Sequence, residues 1–196
     1  MTGEELETRL GAGGLALAFD TNAVYRDRRL IALCDRVSLH NRRLEAASKP
    51  LVRLLISTVA YAEKLFDLKQ QWRDRFDLDV ILSGLRSKGI EVQPFHERHA
   101  LETATRLGEH YPDDAAWQRA KRDLAARSLG LPLGIATPGT GRSCGATIDW
   151  LIGGHARAEG CVLVTDDNDP ELGGRLERVG LDLLDGVLMR LLGERA

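Results

Sequence analysis

The sequence predicts an α/β fold in which a central, mostly parallel sheet is flanked by helices. Two observations carry this. Short apolar runs at 15–19, 51–56 and 161–165 alternate with longer stretches whose apolar residues recur at helical spacing. Each run also leads to an acid, in 15-LALAFDTNAVYRD-27, 51-LVRLLISTVAYAEKLF-66 and 161-CVLVTDDNDPE-171. In open parallel sheets, ligands bind beyond the carboxyl ends of the strands. Acids placed there are candidates for a common site.

The elements follow in order. Residues 1–13 read as a ragged leader. Residues 15–19 are a buried strand closed by Asp20. Residues 22–45 have helical spacing through Val24, Leu30, Ile31, Leu33 and Val37, with Thr21 or Asn22 as the cap. Pro50 marks a break, and residues 51–56 are the second strand. Ser57 or Thr58 opens a helix that presents Glu63. The polar segment 67–79 leads to a helix around 79–87, and 89–95 supplies a turn and a third strand. Helical stretches at 96–109 and 113–128 are separated by Tyr111-Pro112, and 130–145 is the longest loop-like passage. A helix at 147–160, a strand at 161–165, an acidic turn, a short strand at 181–184 and a helix from about Asp185 complete the chain. No internal repeat is visible.

The 196 residues, 43% of them hydrophobic, suit a single domain spanning 1–196 with a real core. The region 67–145 forms an enlarged helical and loop segment within it. The net charge is −2, so no global positive field attracts nucleic acid, and such binding would rest on a local patch. No signal peptide or apolar run of membrane length is present. Three widely spaced cysteines, Cys34, Cys144 and Cys161, speak against a disulfide framework and for a reducing cytoplasm. No CxxC pair exists, and His96 and His99 have no evident partners, which disfavours zinc. His155 reads as structural.

Taken singly, the acids have ordinary explanations. Asp20 reads as a helix cap, Glu63 as an exposed helix residue, and Asp149 as a charge complementing a helix dipole. Asp166-Asp167 reads as part of a solvated turn. Taken together, Asp20, Glu63, Asp149 and Asp167 stand at or near the sheet rim and form one site if they converge. Converging carboxylates repel, and a divalent cation relieves this. Oxygen ligands without histidine or thiolate favour magnesium or manganese. Such ions acidify a bound water and steady a leaving oxygen, the requirements of phosphodiester hydrolysis without a covalent nucleophile.

At these positions the sequence resembles the PIN-domain ribonucleases, especially the VapC-type toxins of toxin–antitoxin pairs. The matching pieces are FDTNAVY (19–25), ISTVAYAEKLF (56–66), TIDWLIGGHARAEG (147–160) and LVTDDNDPE (163–171). The resemblance implies a PIN-like three-layer fold carrying an extended helical insertion. It makes Asp20, Glu63, Asp149 and Asp167 catalytic residues and metal ligands. Asp169 joins them at an often acidic position, and Thr21, Asn22 and Thr165 orient them. Asp166 competes with Asp167, which is preferred because the pattern leaves one residue after the threonine. An RNA substrate, an Mg2+ or Mn2+ cofactor, a cognate antitoxin and a homodimer formed through helices are also implied. The chain departs from the pattern at Pro170, where an aromatic is usual, at Gly153-Gly154, where alanines are common, and in its extra length between Glu63 and Asp149.

Residues 26–53 carry a local excess of five positive charges. Arg26, Arg28 and Arg29 begin a candidate phosphate track, equally readable as a solvated helix face, and Arg142 is a further candidate for phosphate contact. Two other functions compete. A PIN-like scaffold could bind RNA or protein without cutting. A haloacid-dehalogenase-type phosphoryl transferase also begins strand–Asp, but Asp20-Thr21-Asn22 lacks the second acid of an Asp-x-Asp pair.

Overall fold

A computed structural model of the chain describes residues 1–24, 27–111, 113–118, 147–167 and 175–194. The loop-like passage at 130–145 therefore lies outside the described residues. So do most of the predicted 113–128 helix and the acids Asp169 and Glu171.

The strands are β1 (Ala16–Phe19), β2 (Arg53–Ser57), β3 (Ile90–Gln93), β4 (Val162–Val164) and β5 (Arg178–Val179). All four pairings are parallel, in the order β3-β2-β1-β4-β5. The fold class is thus the one expected, a parallel sheet flanked by helices. The direction of winding reverses between β1 and β4. In such sheets this switch point opens a crevice beyond the carboxyl ends of the two strands. The ladder runs one residue past β1, where the Asp20 N–H donates to the Val164 carbonyl at 3.1 Å. Asp20 is thereby fixed at the mouth of the crevice.

The first helices are α1 (Gly3–Ala12), α2 (Thr21–Val24) and α3 (Asp27–Ala46). After β2 come α4 (Thr58–Trp72), a 3-10 turn at Arg73–Arg75 and α5 (Leu78–Ser87). After β3 come α6 (Glu97–His110), α7 (Thr147–Ala158) and α8 (Leu181–Leu192). The predicted cap of α4 is Ser57, whose Oγ accepts the Ala60 N–H at 3.1 Å. Asp20, rather than Thr21 or Asn22, precedes α2, and its carbonyl accepts the N–H groups of Ala23 and Val24.

Two expectations need correction. The first 13 residues are not a ragged leader. Thr2 and Glu5 form a capping box that starts α1, and Leu6 and Leu10 are fully buried as α1 packs on α8. Nor are residues 181–184 a strand. The strand is the shorter Arg178–Val179, and α8 begins at Leu181 instead of near Asp185. Two forces decide this. The Asp166 carboxylate accepts the Leu181 N–H at 2.9 Å, satisfying a helix-end donor. Leu181, Leu184, Val187, Leu188 and Leu192 then form a buried helical stripe.

Helices α6 and α7 pack closely because Gly153 and Gly154 leave room for it. A Cβ at Gly154 would collide with Thr103 Oγ1 and lie 3.0 Å from Thr103 Cα; one at Gly153 would strike the Arg106 guanidinium. Thr103 and Arg106 are themselves buried, and Arg106 lies 5.0 Å from the ring centroid of the buried Trp150. The two glycines that depart from the family pattern are therefore matched to two buried polar residues of α6. Among the described residues, no helix is long and apolar enough to cross a membrane.

Candidate active site

Asp20 leaves β1 only 2% exposed. Its Oδ1 accepts the Thr21 N–H and its Oδ2 accepts the Thr165 hydroxyl, both at 2.7 Å. Thr165 closes β4 and links two acids, since its Oγ1 also accepts the Asp167 N–H at 3.0 Å. On the other side, the Thr21 hydroxyl donates to Glu63 Oε2 at 2.5 Å. The Asn22 amide donates to Asp167 Oδ2 at 3.2 Å. Asp20, Glu63 and Asp167, distant in sequence, thus belong to one hydrogen-bonded cluster with Thr21, Asn22 and Thr165. Asp149 makes none of these hydrogen bonds. It is half-buried in the first turn of α7, which packs on α4, and its neighbour Ile148 lines the same cavity as Glu63.

Asp166 and Asp167 point to different tasks. Asp166 caps α8, while Asp167 faces Asn22. Asp169, Arg26 and Arg142 lie outside the described residues. Arg28 is exposed. Arg29 is ion-paired with Asp182, and Arg36 with Asp185 and Glu194. Arg43 donates to the Leu191 and Leu192 carbonyls at the end of α8, Lys49 to the Gly11 carbonyl, and Arg53 to Glu91. Much of the basic segment is therefore engaged in intramolecular contacts, several of them to α8.

The electrostatics suit a cation. Burial holds the Asp20 carboxyl above its ordinary range. The Thr165 and Thr21 hydrogen bonds oppose this, and the nearby Asp167 and Glu63 charges reinforce it. Arg178 reaches the Asp167 backbone carbonyl at 3.3 Å. The donor set is all oxygen, pre-oriented by hydroxyls and an amide, and fits a hard divalent ion.

A second titratable cluster escaped the sequence reading. His99 on α6 has partners after all: His155 and Glu159, one turn apart at the end of α7, offer ligand atoms within 4.8 Å of it and of one another. The hydrogen bonds argue against a metal there. His99 Nδ1 accepts the His96 N–H at 2.7 Å, so the ring proton resides on Nε2, which donates to Glu159 Oε1 at 2.7 Å. A metal at Nε2 would displace that proton while Nδ1 still faces a donor. Arg98 also pairs with Glu159. The His155 ring lies against His99, centroids 4.4 Å apart and tilted by 45°, and burial, with His99 beside it, lowers its pKa to about 4. The cluster locks α6 to α7. The signal that could have found it was His155 and Glu159 at i and i+4, facing one side of a helix. Cys34 and Cys161 are free and buried, and burial raises their pKa values to about 12 and about 11, so both are inert core thiols.

No protein-family model matches the chain, and no curated protein sequence matches it. Several solved structures are similar, three of them as follows. One is DNA-bound VapBC from Salmonella typhimurium, 17% identical, covering 85% of this chain and 98% of that one, with a TM-score of 0.46. Another is VapBC-1 from nontypeable Haemophilus influenzae, 17% identical, covering 86% and 99%, with a TM-score of 0.47. The third is VapBC2 from Rickettsia felis bound to a DNA fragment from their promoter, 19% identical, covering 85% and 98%, with a TM-score of 0.40.

Proposed function

We propose that this chain is a magnesium- or manganese-dependent endoribonuclease and the toxin of a toxin–antitoxin pair. The observation that carries the reading is the hydrogen-bonded cluster of Asp20, Glu63 and Asp167 at the switch point between β1 and β4. The order of the PIN-like motifs supports it. Asp20, Glu63, Asp149 and Asp167 would hold the ion, with Asp169 as a further ligand. When bound, such an ion supplies Lewis acidity and an acidified water.

The chain's own residues do the positioning. Thr21 holds the Glu63 carboxylate, Thr165 holds Asp20 and fixes the backbone of Asp167, and Asn22 orients the Asp167 side chain. Asp20 retains a proton more tightly than an ordinary carboxyl, so loading the site at low pH requires proton release. Arg28 and Arg142 are assigned to the RNA backbone and the scissile phosphate. A cognate antitoxin would silence the site by placing a peptide near the carboxylates, and the toxin would form a homodimer through its helices.

The test is cleavage. The wild-type chain cuts RNA with magnesium or manganese and stops when the ion is chelated, and Asp20→Asn removes cleavage while leaving the fold intact. Wild-type rates in the purified variant would show that the site is wrongly assigned. Expression of the chain alone should arrest growth, and full growth with abundant folded protein would remove the toxin role.

A further inference from the structure

One turn beyond Glu63, α4 carries Phe66, which is 63% exposed. A phenyl ring is ordinarily a large contributor to buried apolar surface, so this exposed ring is a candidate contact surface. Residues three apart on a helix share a face, which places the ring beside the Glu63 side chain. Both line a cavity of ≈ 720 Å3 whose remaining wall includes Val59, Ala62 and Ile148. Ile148 comes from α7, immediately before Asp149, so the cavity sits between α4 and α7. Its walls are largely apolar, with Thr58 and the Asp67 carboxylate at the margin, and one edge is the Glu63 carboxylate, which Thr21 connects to Asp20. A volume of this size is typical of small-ligand sites and exceeds what a single side chain needs. A second apolar cavity, ≈ 410 Å3 and lined by Tyr61, Trp72 and Ile81, is contacted by none of the four carboxylates among the described residues.

A flat apolar platform that opens directly onto a phosphate-processing cluster suits a flat heterocycle attached to a phosphate. We infer that the cavity receives one unstacked nucleobase of the RNA, with Phe66 as its stacking platform beside the scissile phosphate. The inference rests on the nuclease reading for the identity of the polymer. Every base has a π face, so Phe66 sets affinity and the register of the strand, and the substrate it selects is single-stranded or locally unpaired. An α4 face that met a second protein instead would bury Phe66 without regard to its aromaticity.

The experiment measures binding separately from cutting. Asp20→Asn protein is titrated with a labelled, unstructured RNA of roughly 12 nucleotides in the presence of magnesium. Adding Phe66→Ala is expected to weaken binding by about 5- to 160-fold, the range of one base–aromatic stack. Phe66→Tyr should restore it and Phe66→Leu should not, since leucine keeps the apolar volume but loses the flat face. An abasic nucleotide placed at successive positions should reduce binding at one position, and only when Phe66 is present. Unchanged affinity in a folded Phe66→Ala protein overturns the inference, as does full rescue by leucine. So does a result in which the alanine variant alters self-association by sedimentation but not RNA binding. The nuclease reading fails on a different observation, namely cation-independent or absent cleavage by the wild-type chain.

Discussion

Replacing Asp20 by asparagine separates the chemistry of the site from its architecture. The side chain keeps its shape and its acceptor for the Thr21 N–H, but loses the charge-assisted bond from the Thr165 hydroxyl. That loss costs about 1.5–3 kcal/mol. It is offset by removing an ionised group held 2% exposed near two other carboxylates, a burial that costs several kcal/mol when uncompensated. The folded-state pKa of Asp20 is raised, so the folded chain binds the proton more tightly than the unfolded chain. Its contribution to stability is complete below the ordinary value of 3.8 and is lost as pH rises through the folded value. At neutral pH, without divalent ions, the variant should therefore be equal to wild type or more stable by about 1 kcal/mol, roughly 2–4 °C in Tm. Magnesium or manganese at about a hundredfold its Kd should add about 2.7 kcal/mol to the wild type and little to the variant. The wild-type gain should shrink as pH falls through the folded value of Asp20, because binding displaces a proton. Thermal unfolding with and without the ion, across a pH series, provides the assay. Equal cation-dependent gains in the two proteins, or no gain in the wild type, would refute the placement of Asp20 among the ligands.

The adjacent acids of the β4 loop should part company on substitution. Asp166→Ala should lower stability by about 0.5–2 kcal/mol through the lost cap while retaining cleavage, whereas Asp167→Asn should lower cleavage at least about tenfold with little change in Tm. Gly154→Ala should destabilise by about 1–3 kcal/mol, read by urea unfolding, because the contact with Thr103 includes backbone. His155 is held near 4 in the fold against an ordinary 6.5, so the stability it contributes is intact above 6.5 and declines as pH falls toward 4. Unfolding free energy should be about 2 kcal/mol lower at pH 5 than at pH 8 from this residue. His155→Leu should flatten that slope, and an unchanged slope would show that the acid sensitivity lies elsewhere.

The sheet and three of its rim acids were legible because their signals are local. An apolar run followed by Asp-Thr-Asn reads as a strand ending at a helix, and Ser57 announces α4 through its position before a helical pattern. Helix α1 was legible but unread: Thr2 and Glu5 have capping-box spacing, and Leu6 and Leu10 share a face. The stretch 181-LDLL-184 is ambiguous on its own, since leucines at its alternate positions suit either period. A carboxylate fifteen residues upstream settles it, which no window of that length contains. The His99 cluster and the pairing of the basic segment depend on how helices dock, as when Arg36 of α3 meets Asp185 of α8. Such pairings are set by tertiary packing rather than by local spacing.

The neighbouring acids after Thr165 form a short lever. One arm, Asp166, is pegged to the first amide of the final helix; the other, Asp167, reaches across to Asn22. One peptide link therefore joins the anchor of α8 to the carboxylate cluster at the sheet rim.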